Sequence, residues 1–106
     1  MKIFKIKDSR ELEDYELAPV EKLNVDWFVY YYEYGDYEGN GFAVWKKDGK
    51  YFYGDLGHCS CYGPTDNLSS IPYAKLEDIA KFADNYNKGQ EVINLIREKI
   101  NEGSIN

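Results

Sequence analysis

The sequence predicts an α+β domain: an antiparallel meander of three to four strands followed by two C-terminal helices packed on the sheet. Three observations carry this. Aromatic and β-branched residues crowd positions 25–56, as strands require. Asp48-Gly49 divides that stretch with the residues a type I′ hairpin turn demands. Beyond the middle of the chain the apolar period becomes helical, and strands followed by helices define the α+β class.

Lys2 to Lys7 alternates charge and hydrophobe and reads as a short edge strand, its lysines discouraging stray pairing. Asp8 followed by Glu11 resembles a helix-start capping pattern, so Ser9 to Leu17 is expected to form a short helix ended by Pro19. Val25 to Tyr34, Gly41 to Lys47 and Lys50 to Leu56 are the three meander strands, with a longer turn over Gly35 to Asn40. Leu76, Ile79, Ala83 and Tyr86 form one helical stripe. Asn87 with Gln90 suggests a capping box for a last helix that buries Val92, Ile93, Ile96 and Ile100 and stops at Gly103.

With 106 residues, 43% hydrophobic and 17% aromatic, the chain (1–106) is expected to be one globular domain. The N-terminus lacks a signal-peptide pattern and no run approaches a membrane span, so a cytoplasmic location with reduced cysteines is expected. The net charge is −6, and its distribution is uneven. Asp8 to Glu38 holds ten acidic residues against Arg10 and Lys22. Such a field opposes direct binding to nucleic acid, where cations must replace counterions, and favours a basic protein partner; a merely solvating acidic face is the plain alternative.

Five of the eleven tyrosines, Tyr30, Tyr31, Tyr32, Tyr34 and Tyr37, fall within eight residues. On a strand Tyr31 and Glu33 share a face with Trp27 and Val29, while Tyr30, Tyr32 and Tyr34 share the other with Phe28. Three uses fit this pattern: a strand buried on both faces, a protein interface, or a base-stacking sheet. The interface reading assigns partner contacts to Glu33, Tyr34, Asp36, Tyr37 and Glu38.

The loop Gly57-His58-Cys59-Ser60-Cys61-Tyr62-Gly63-Pro64 gathers the only histidine and both cysteines. Thiolate and imidazole are zinc ligands, and a carboxylate completes such a set, so His58, Cys59 and Cys61 with Asp55 are candidate ligands of a structural zinc. Asp66 or an acid from another segment is a substitute for Asp55. A zinc finger or ribbon would offer paired Cys-x-x-Cys units, whereas this chain has one Cys-x-Cys pair and no second. Buried structural cysteines are the simpler alternative. A Cys59 nucleophile paired with His58 is disfavoured because nucleophile and base usually come from facing segments. A zinc deaminase is disfavoured because its His-x-Glu and Pro-Cys-x-x-Cys elements are missing. A disulfide between Cys59 and Cys61 would close a very small, strained ring.

The acidic segment Asp8 to Glu38, the tyrosine strand Tyr30 to Tyr37 and the loop Gly57 to Pro64 resemble small phage or mobile-element anti-CRISPR proteins that inhibit Cas9, including zinc-containing ones. The resemblance implies an inhibitor that engages the basic, nucleic-acid-handling surface of a Cas9-type effector. The expectation is a non-enzymatic binding protein with a structural metal. Its alternatives are a small metal-dependent hydrolase using His58, Cys59 and Cys61, and a metal-free interaction module.

Overall fold

The computed structural model describes residues 2–8, 20, 22, 24–35, 38–56, 71–86 and 88–106. Four strands, β1 (Lys2–Asp8), β2 (Trp27–Gly35), β3 (Glu38–Lys47) and β4 (Lys50–Asp55), form one sheet in the order β1-β2-β3-β4. Two helices follow, α1 (Leu76–Ala83) and α2 (Gly89–Asn101). This is the expected α+β architecture, with the strands ahead of two C-terminal helices. The helix expected over Ser9 to Leu17 lies outside the described residues.

The sheet is mixed. β2, β3 and β4 form the antiparallel meander, but β1 runs parallel to β2, pairing Lys2 with Trp27 and Lys5 with Tyr30. A parallel neighbour needs a crossover of a dozen or more residues, and residues 9–26 supply that length. Val20 and Val25 within it are buried against the sheet.

The β3–β4 turn follows its sequence signature, with Asp48 and Gly49 at φ of 52° and 77°. The turn before β3 is tighter than expected. β2 continues through Gly35 and β3 begins at Glu38, so only residues 36 and 37 separate them.

Alternation on β2 sends side chains to two cores. Trp27, Val29 and Tyr31 join Phe42 and Val44 beneath the helices, against Leu76, Ile79, Ala83, Val92, Ile93 and Ile96. Phe28, Tyr30 and Tyr32 join Ala43, Trp45, Val20, Val25 and Leu56 on the far face. Apolar side chains buried this fully contribute roughly 1.5–3 kcal/mol each.

Asn87, expected to open the capping box of the last helix, lies outside the described residues. The N-cap of α2 is Lys88, in the left-handed region at φ 61°, with no side-chain cap. Gln90 instead donates from Nε2 to the Ala80 carbonyl at 3.2 Å, tying α2 to α1. Gly89 abuts the backbone of Ala83 so closely that a Cβ there would collide with it, which fixes glycine at the start of α2. The helix stops as expected at Gly103, φ 80°. Gly103 donates to Ile100 and Ser104 to Lys99, both at 3.0 Å, the paired bonds of a Schellman stop. Ile105 then turns into the core beneath the helices.

Candidate partner-binding surface

The strand registers sort charge between the two ends of the sheet. At one end Lys2, Trp27, Lys46 and Tyr51 lie in one row, and Lys47 pairs with Lys50. At the other, Asp8 pairs with Tyr32, Glu33 with Asn40, Glu38 with Gly35, and Asp55 with Phe42. Asp26 and Asp48 are the acidic residues at the lysine end, and Lys7 is the basic one beside Asp8. Of the acidic segment, Asp8, Glu33 and Glu38 lie at this end and Asp26 at the other, among the described residues.

The candidate contact residues converge at that edge. Glu33 and Tyr34 end β2, Glu38 begins β3, and Asp36 and Tyr37, outside the described residues, lie between them. Glu33 is half-buried and accepts a hydrogen bond from the Tyr31 hydroxyl. The tyrosine strand itself divides. Tyr30, Tyr31 and Tyr32 are core residues, 3%, 2% and 0% exposed, so they serve packing on both faces and offer no surface.

A different set of aromatic residues reaches the surface, beside β4 and α1. The Tyr53 ring stacks on Phe82 with centroids 5.4 Å apart and planes at 12°. Tyr73 leans against Tyr53 at 5.6 Å, and Tyr86 meets it edge-on at 6.0 Å. Tyr86 also stacks on buried Phe42 at 4.6 Å, anchoring the group to the sheet. Tyr73 reaches the group because its backbone pairs with Tyr51 in both directions, at 2.8 and 2.9 Å. Tyr53, Tyr73 and Tyr86 are half-buried, and Phe82 is 36% exposed.

Burial, reinforced by its hydrogen bond with Tyr73, pushes the Tyr53 hydroxyl above its ordinary pKa. Burial also raises that of Tyr86, with the Asp55 carboxylate adding to the effect. Both phenols thus stay neutral through the physiological range. Sequence reading missed this group because its members come from four separated segments. The one local signal was Phe82, an aromatic residue off the Leu76–Ile79–Ala83 stripe.

Of the four candidate metal ligands, Asp55 alone is described, exposed at the end of β4. His58, Cys59 and Cys61 lie outside the described residues. Among the described residues no three His, Cys, Asp or Glu side chains gather as a metal site. No described helix is long and apolar enough to cross a membrane. Comparison with family models, with curated proteins and with solved structures finds no match to this chain.

Proposed function

We propose that the protein is a non-enzymatic binding protein whose acidic sheet end engages a basic, nucleic-acid-handling protein. The resemblance to anti-CRISPR proteins points to a Cas9-type effector as that partner and to inhibition as the outcome. The observation that carries the reading is the strand register, which brings Asp8, Glu33, Glu38 and Asp55 to one end of the sheet from all four strands. A rigid sheet presents such charges without the ordering entropy that a flexible acidic tail loses on binding. Clustered carboxylates steer a basic partner and occupy positions otherwise filled by phosphates.

DNA cleavage by a guide-loaded Cas9-type nuclease, measured with increasing protein, tests this. Inhibition is expected, weakening as salt shortens the reach of exposed charges. Changing Glu33, Asp36 and Glu38 together to lysine should raise the inhibitory concentration by roughly tenfold or more, since close charge pairs across interfaces contribute at least that much. Undiminished inhibition by the triple variant would overturn the electrostatic reading, and uninhibited cleavage by the wild-type chain would overturn the effector.

The proposal includes a structural zinc ion on His58, Cys59 and Cys61, with Asp55 as the carboxylate. Asp55 suits that role in one respect: it is an exposed carboxylate on the strand end that leads into the loop. Bound zinc would tie the loop to the end of β4, and its binding energy would add to folding stability. Elemental analysis of untagged protein should find one zinc per chain, reduced in Asp55→Asn. Zinc-free protein would remove the metal, and zinc carrying an open water position would favour the hydrolase instead.

A further inference from the structure

The aromatic group beside β4 is unexplained by the fold alone. Phe42 and the buried face of Tyr86 complete the core there. Phe82 nevertheless stacks over Tyr53 with more than a third of its surface in solvent. The rings pack on one another, with Tyr53 stacked on Phe82 and leaning on Tyr73. Two carboxylates flank them. Asp55 pairs across the strands with Phe42, on which Tyr86 stacks, and Asp78 precedes Phe82 by one helical turn, on the same side of α1.

The geometry points to this patch, Tyr53, Tyr73, Phe82 and Tyr86 with Asp78, as the place where the protein partner lays an arginine side chain across the rings. The inference rests on the proposed reading that the partner is basic. Arginine combines the two interactions the patch offers. Its guanidinium plane stacks on aromatic faces, and its fork of N–H groups bonds a neighbouring carboxylate in two places. A nucleic-acid base also stacks on tyrosine, but it brings a phosphate that the flanking carboxylates and the −6 net charge repel. The patch also adjoins the acidic end, because Asp55 pairs with Phe42, the residue that Tyr86 stacks on. One partner surface therefore meets both.

The test uses the full chain and a synthetic Gly-Arg repeat peptide, with ring and backbone signals followed by NMR. Saturable shifts at Tyr53, Tyr73, Phe82 and Tyr86 are expected. Phe82→Leu keeps apolar bulk at a position already exposed, and Asp78→Asn keeps hydrogen-bonding capacity. Each should weaken binding by roughly two- to fivefold, as losing one exposed cation–π contact or ion pair would, while the urea midpoint confirms a folded domain. Shifts confined to Glu33, Glu38 and their neighbours would overturn the patch and leave the basic-partner reading standing. A peptide that shifts nothing would overturn both. An oligothymidylate that binds the rings where the peptide does not would identify a base-stacking platform and overturn both as well.

Discussion

At the lysine end of the sheet, charge serves closure of the fold. Lys2 donates from Nζ to the carbonyl of Ser104, and Lys46 donates to that of Asn106 at 2.7 Å while lying 5.2 Å over the Tyr51 ring. Between them Ile105 plugs the core and the Schellman stop aims the tail back at the sheet. At the acidic end, Asp55 stands in solvent, and a half-exposed aromatic group takes the place of a tail. The same four strands thus have one end committed to intramolecular contacts and another where Asp55 and the half-exposed rings reach solvent. Equal numbers of charges on a surface are not equivalent; what matters is whether the chain itself already uses them.

If that division is right, the largest change in stability comes from the lysine end. Ile105→Ala removes a side chain that is 7% exposed and should cost about 2–4 kcal/mol in urea denaturation, with capture of a basic partner unchanged in the folded fraction. An equal loss of binding would merge the two ends into one function.

The next effect belongs to the tyrosines near the acidic end. Their folded pKa values are raised above the ordinary 10.0, so the folded state favours the protonated phenols. That stability is fully present below pH 10 and is lost as pH rises through the folded values. Thermal midpoints measured from pH 9 upward should fall, and the fall should be shallower in Tyr53→Phe. An identical slope in that variant would place the alkaline transition elsewhere.

Lys46→Gln should cost about 1 kcal/mol or less, because its hydrogen bond and ring contact are exposed, yet it should speed amide exchange at Ser104 and Ile105. Unaltered exchange there would show that Ile105 alone holds the tail. The smallest effect is expected for Asp55→Asn in metal-free protein, within about 0.5 kcal/mol by urea denaturation, as for an ordinary surface substitution. A larger loss would make Asp55 part of the fold and take it off the binding surface.

What the sequence made legible was local. The Asp48-Gly49 turn, the Gly103 stop, the alternation of β2 and the apolar stripes of both helices each depend on residues a few positions apart. The parallel pairing of β1 was hidden because it depends on where a long crossover sets the strand down. Of the expected capping pair Gln90 finds a partner on the neighbouring helix, and the helix begins after Lys88 in the left-handed conformation, neither of which a local pattern announces. The tyrosine cluster left burial, a protein interface and base stacking open, and three of its members fill cores on both faces of β2, as the buried reading expects. The exposed aromatic group escaped notice because positions 53, 73, 82 and 86 meet only through the Tyr51–Tyr73 bridge and the close seating of α2 on α1. Acidity was legible as a run along the chain, and the strand register places Asp8, Glu33 and Glu38 of that run at one end of the sheet.

The parallel seat of β1 also sets an order of assembly. β3 and β4 meet across two turn residues, whereas β1 reaches its partner only after residues 9–26 have been folded back. Closing the longer loop costs more chain entropy, and its slanted parallel ladder returns slightly less per residue. The inequality predicts that the antiparallel meander forms ahead of the β1 pairing. Native-state amide exchange is expected to be faster in β1 than in β2 and β3, and equal protection of β1 would overturn that order.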